Sequence, residues 1–139
     1  SRYPEITQIV VNIGGDLCVR GRKPVKAGVQ SSDDSASPLT VIGLCNQAIA
    51  TSGTARRGLH IFDPRTSKSV AHTPLVSVVA PTALLADVLS TACSVLTIQE
   101  SIDLIASTPE VEVMLMDRDG LNCRSSGWSK LEQQAKYAS

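Results

Sequence analysis

The sequence predicts an α+β fold, a mainly antiparallel sheet with one long and one short helix packed on one face. Three observations carry that expectation. Short β-branched apolar runs recur between Ile6 and Ala80, each closed by Gly, Pro, Asn or Asp. A single segment, Ala83 to Leu96, repeats its apolar residues at helical spacing. Strand-type alternation then returns at Glu110 to Met116, which puts Val111, Val113 and Leu115 on one face.

In chain order, Ile6 to Ile13 reads as a buried strand ending at Gly14-Gly15, with Leu17 to Arg20 leaving the turn as its partner. A short strand around Val25 to Val29 precedes residues 31 to 38, SSDDSASP, whose small polar residues and proline suit a solvated hairpin connection. Leu39 to Leu44 and Ala48 to Thr51, separated by Cys45-Asn46-Gln47, read as a second hairpin. Leu59-His60-Ile61-Phe62 is a brief strand before the turn Asp63-Pro64-Arg65-Thr66, where proline presets φ and Asp can accept from nearby backbone N–H groups. Leu75 to Ala80 is the next strand. Pro81-Thr82 opens the long helix, which carries Leu84, Leu85, Val88, Leu89, Ala92, Val95 and Leu96 at helical intervals. Glu100 to Ala106 reads as a shorter helix, Asp117-Arg118-Asp119-Gly120 as a turn, and Leu121 to Ser125 as a strand pairing back. Residues 1–127 are read as one domain and 128–139 as a polar, helix-compatible tail.

The bulk composition narrows the function classes. A chain of 139 residues is long enough for one domain with a real core, and 42% hydrophobic with 19% charged residues is the balance of a globular protein. Thirteen basic and thirteen acidic side chains cancel, which leaves none of the positive surface that nucleic-acid binding needs. One Trp, one Phe and two Tyr offer few faces on which a base or a flavin ring can stack. No stretch reaches the roughly 20 apolar residues that span a bilayer, and Ser1-Arg2-Tyr3-Pro4 does not open a signal peptide. Cys18, Cys45, Cys93 and Cys123 show no CxxC pair and no zinc-finger spacing; buried free thiols are the main reading, a disulfide the alternative.

Four segments stand out together: VNIGGDL at 11–17, ATSG at 50–53, HIFDPRT at 60–66 and ADVLSTA at 86–92. Each alone is a common turn or helix fragment, but in this order and at these intervals the chain resembles the C-terminal half of the FAD:protein FMN transferase family, also called the ApbE family. The resemblance runs from Val10 to about Gly127 and leaves out the N-terminal half of the family's domain.

The resemblance implies a reaction in which a protein threonine attacks the phosphate of the FMN half of FAD and AMP departs; hydrolysis of FAD to FMN and AMP is the related activity with water in place of threonine. It assigns Asp87 and Thr91 to a magnesium site that grips the FAD pyrophosphate, with Asp87 also counted in the catalytic machinery. Four residues apart on a helix, their oxygens share one face, and hard oxygen donors suit magnesium. On the residues alone, a solvated Asp and a threonine bonded to the preceding turn remain the other reading. His60 is the candidate proton acceptor by its near-neutral pKa and by the family's histidine at this place; without the family it reads as a core or hydrogen-bonding histidine. His72 has no motif around it and reads as a surface residue. Gly14, Gly15 and Asp16 either approach the ligand or make a sharp turn. Thr51, Ser52 and Gly53 offer hydroxyls and an amide for a phosphate or flavin edge.

Two departures from the family pattern bear on activity. Thr54, Ala55 and Arg56 stand where relatives carry an acidic residue and a Tyr after TSG, and Ser67 replaces the usual glycine after DPRT. Three function classes follow: an enzyme completed by the missing half or a partner chain and acting on a threonine-bearing redox protein, an inactive flavin-binding or assembly module, and a purely structural α+β domain. Family members are often periplasmic or membrane-anchored lipoproteins, and this chain carries no signal for either.

Overall fold

The computed structural model describes residues 3–30, 37–53, 61–69, 75–117 and 119–138. The expected strand at Leu59-His60 and most of the 31–38 connection lie outside them. The first two strands, β1 (Gln8–Ile13) and β2 (Asp16–Gly21), form a hairpin closed by Gly14 and Gly15. Both glycines have positive φ, 63° and 105°, the conformation of a type I′ turn, whose twist matches the strands it joins. Strands β3 (Val25–Val29) and β4 (Thr40–Leu44) pair with each other in a separate two-stranded sheet, so the 30–39 segment does connect a hairpin.

Strand β5 (Ala48–Ser52) lies between β2 and β8 (Leu75–Ala80), and β9 (Glu112–Met116) and β10 (Asn122–Arg124) complete a six-stranded antiparallel sheet in the order β1-β2-β5-β8-β9-β10. The second hairpin expected from residues 39–51 is therefore absent. β4 and β5 are consecutive in sequence but sit in different sheets, because each meets a better-matched partner: β4 buries Ile42 and Leu44 beside β3, while β5 takes a place between two core strands. Two-residue strands β6 (Phe62–Asp63) and β7 (Lys68–Ser69) bracket the DPRTS turn.

Helix α1 (Ala83–Cys93) starts at Thr82, whose hydroxyl accepts from the Leu85 N–H, and ends three residues earlier than its apolar spacing suggests, with Ser94 at the cap. Helix α2 (Ile98–Ala106) begins two residues earlier than expected because Thr97 and Glu100 cap each other reciprocally. Both lie over one face of the sheet, where Ala86, Leu89, Cys93 and Ile105 pack on Ala50, Val76, Val78, Val113 and Leu115. Val111 joins this cluster, so the predicted face of 111, 113 and 115 is the observed one.

The opposite face buries Val19, Ile49, Val79 and Met114 under the β3–β4 hairpin and under helix α3 (Trp128–Ala135). The polar tail expected from Gly127 is thus a packed element, with Trp128 and Leu131 inside this second core. Its few apolar residues fall one helical turn apart and face inward together. α3 starts where Gly127 donates its N–H to the Glu112 carboxylate, which also accepts from the Ser125 hydroxyl. A second difference concerns β1: its apolar run suggests burial, yet Ile9, Val10, Val11 and Ile13 are all exposed in this edge strand. The four cysteines are free, as read, but only Cys93 is buried; Cys18, Cys45 and Cys123 are half-buried.

Candidate functional site

Side chains from three places in the sequence converge where α1 lies against the end of β5. The Ser52 hydroxyl is 2.8 Å from the Ser90 hydroxyl and 3.5 Å from that of Thr91. Ser90 donates to the Asp87 carbonyl one turn back, so it accepts from Ser52 and leaves the Ser52 oxygen open to accept from a further donor. Thr51 shares a hydroxyl pair of 2.9 Å with buried Ser77 on β8. The Thr51 N–H donates to the Asp16 carboxylate at 3.2 Å. The tip of the β1–β2 hairpin is thereby tied to the strand end that meets Thr91.

Gly14 and Gly15 form the type I′ turn, with the Gly15 N–H bonded to Asn12 Oδ1 at 3.3 Å, so a structural reason for them is in view. Asp16 caps nothing within its own turn and reaches across to Thr51. Thr51 and Ser52 end β5 and Gly53 follows them. Asp87 and Thr91 stand one helical turn apart on α1, both exposed. The Asp87 carboxylate engages no described residue in a hydrogen bond or ion pair. His60 lies outside the described residues, as does His72. Ser90 and Ser77 were not singled out by sequence; Ser90 sits inside the ADVLSTA segment, but its partner Ser52 is 38 positions away and no spacing rule connects them.

The segment after His60 is anchored to the same helix. Arg65 forms a two-pronged pair with Asp63, at 3.0 and 3.2 Å from Nε and 3.0 Å from Nη2. Its Nη2 also donates to the Val95 carbonyl at 2.9 Å, just past the end of α1, and Nη1 is 3.8 Å from Glu100. The Arg65 guanidinium and backbone N–H hold the Asp63 carboxyl below its usual range, and Asp63 in turn raises Arg65. The Thr97 N–H and hydroxyl lower Glu100 likewise.

The donor chemistry on α1 is compatible with a magnesium ion: a carboxylate and a hydroxyl, both exposed and one turn apart, could supply two hard oxygens beside water and phosphate. Among the described residues no group of three or more His, Cys, Asp or Glu forms a protein cage for a metal, and magnesium bound with phosphate does not require one.

Comparison with known proteins points in one direction. The sequence model of the ApbE family matches residues 2–115. The chain is 29% identical over 125 residues to the FAD:protein FMN transferase of Salmonella typhimurium, covering 80% of this chain and 36% of the relative. It is 32% identical over 105 residues to the enzyme of that name from Escherichia coli, covering 66% and 30%. Its fold superposes on the ApbE protein of Thermotoga maritima with a TM-score of 0.77 at 26% identity, covering 90% of this chain and 45% of that one. The Pseudomonas stutzeri flavinyl transferase ApbE, at 23% identity and a TM-score of 0.75, shares the fold. The chain therefore spans about a third of the length of the curated relatives it matches.

Proposed function

The chain belongs to the ApbE family, and from that premise we propose that it is the magnesium- and phosphate-holding half of an FAD:protein FMN transferase domain. In this reading Asp87 and Thr91 hold the metal against the FAD pyrophosphate. The observation that carries it is the exposed Asp87–Thr91 pair on one helical face, with Ser52 against Thr91 at the end of β5.

The reaction is a displacement at phosphorus. The acceptor threonine oxygen forms a bond to the phosphorus of the FMN half, the bridging P–O bond of the pyrophosphate breaks, and AMP leaves with the bridging oxygen. Such a transfer needs position and charge neutralisation more than covalent chemistry, and bound magnesium supplies the neutralisation at the phosphate oxygens. The chain's own residues do the rest. Ser52 offers its hydroxyl, Gly53 its backbone amide, and Thr51 the hydroxyl it shares with Ser77, to a phosphate or flavin edge. Asp16 keeps the β5 end in register beneath them by holding the Thr51 N–H. His60, by the family's pattern, accepts the threonine proton. Water in place of threonine yields FMN and AMP by the same displacement.

The test is incubation with FAD and magnesium, with and without a threonine-bearing acceptor, read as AMP by chromatography and as FAD binding by fluorescence. Magnesium-dependent FAD binding that Asp87→Asn weakens supports the site, and AMP release lost in the same variant supports turnover. Binding without AMP assigns the chain to the inactive-module alternative, which the Thr54-Ala55-Arg56 departure favours. FAD binding that ignores both magnesium and Asp87→Asn removes the proposal.

A further inference from the structure

Strand β1 has the composition of an interior strand and the position of an edge. In a two-residue type I′ hairpin the closing residues, Ile13 and Asp16, are a hydrogen-bonded pair, and such pairs recur at every second position. Val11 with Cys18 and Ile9 with Arg20 are the next two, so β2 satisfies the N–H and C=O groups of Ile9, Val11 and Ile13. Those of Gln8, Val10 and Asn12 point to the free edge, where no described strand takes them. The side chains of Ile9, Val11 and Ile13 form one stripe, 51%, 44% and 74% exposed, and Val10 on the other face is 47% exposed. The stripe shares the face of β2 from which Arg20 donates to the Pro81 carbonyl at the start of α1, so it lies on the α1 side of the sheet. The outer side of α1 shows Leu84 and Val88, 74% and 53% exposed.

An unpaired, apolar edge of this kind is a pairing template, and natural domains cover or charge such edges. β1 carries no charge and no proline between Gln8 and Ile13. The family match begins at residue 2 and so includes β1, while more than half of the superposed Thermotoga maritima chain lies outside the matched part. We propose that β1 is an interior strand of the complete domain: a strand from the part of the domain outside this chain pairs along its free edge, and that part lays apolar side chains over Ile9, Val11 and Ile13. A second copy of this chain fits less well. Edge-to-edge pairing of two β1 strands satisfies the backbone groups but extends the sheet without adding a layer above the stripe. The inference rests on family membership alone and not on the flavin chemistry.

The experiment mixes this chain with a polypeptide made of the part of the Salmonella typhimurium FAD:protein FMN transferase that it does not match, and reads association by sedimentation, without FAD or magnesium. Two variants dissect the surface. Val11→Lys puts a charge into the stripe. Val10→Pro removes an N–H that the β1–β2 ladder does not use, which an edge strand tolerates and an interior strand does not. Expected are a one-to-one complex with the unaltered chain, about tenfold or greater weakening by each variant, and an unchanged unfolding midpoint of each variant alone. Four results overturn the proposal. They are no association, association that ignores both variants, a homodimer of this chain that Val10→Pro dissolves, and a fall in the midpoint of Val11→Lys alone like that of a core substitution.

Discussion

Ser67 sits at φ 55°, in the left-handed region that favours glycine, and its N–H closes the DPRT turn on the Asp63 carbonyl at 2.8 Å. A side chain in that conformation costs about 1 kcal/mol, so Ser67→Gly is expected to stabilise the folded chain by up to about that amount, less the entropy glycine adds to the unfolded state. Urea unfolding of the two proteins measures it, and a destabilised variant contradicts the strain. The substitution also restores the residue that the family pattern places there, a departure visible in the sequence whose backbone consequence was not. Beside it, the Arg65–Asp63 pair is fully present above the ordinary aspartate value of 3.8 and is lost as pH falls through the lowered one. Arg65→Lys keeps the charge and loses the two-pronged geometry, so the Asp63 carboxyl should titrate at higher pH in that variant, as NMR of the carboxyl carbon reports. The Asp87–Thr91 pair was legible because helical spacing alone puts residues four apart on one face. The Ser52–Ser90 bond was not, since it depends on which strand the helix lands on.

At the scale of elements, legibility followed the range of the information. The β1–β2 hairpin, the 75–80 strand and α1 were readable from contiguous pattern: a Gly-Gly turn between apolar runs, a β-branched run, and a 3.6-residue period after a Thr cap. The pairing of β4 with β3 and of β5 with β2 and β8 was not, because partner choice in a sheet is decided by contacts distant in sequence. α3 was missed for another reason: its eight residues are mostly polar, and only their placement against β4 reveals the buried side. That placement depends on Gly43. A Cβ built there comes within 2.7 Å of the Gln134 carbonyl carbon and 2.8 Å of the Ala135 nitrogen, so the helix backbone rests on the strand at the one position without a side chain. Gly43→Ala should push α3 off β4 and cost about 1–3 kcal/mol, the usual range for overpacking. Chemical denaturation gives the value, and a neutral result means that the helix shifts freely. Ser90→Ala is the milder counterpart on the other face: it removes the bonds to Ser52 and to the Asp87 carbonyl and should cost about 1 kcal/mol.

The described residues form three layers with the six-stranded sheet in the middle, and the central strands belong to both cores at once. Val78 and Val79 on β8, and Val113 and Met114 on β9, are neighbours in sequence that point into opposite clusters. Removing α1 and α2 therefore strips one face of strands whose other face is held by the β3–β4 hairpin and α3, and both layers rest on that one six-stranded sheet. The two cores should unfold together. The single tryptophan, Trp128, reports one of them and the buried Cys93 thiol the other. Burial raises the Cys93 pKa, so the thiolate that reacts with labelling reagents is disfavoured until the chain opens. Tryptophan fluorescence and Cys93 labelling, the latter in a chain with Cys18, Cys45 and Cys123 replaced by serine, should give the same urea midpoint within error. A Cys93 that becomes reactive at clearly lower urea than the Trp128 transition means that the α1–α2 layer detaches on its own. The proposed site would then belong to a separately unfolding unit, because Asp87 and Thr91 ride on that layer while Ser52 stays with the sheet.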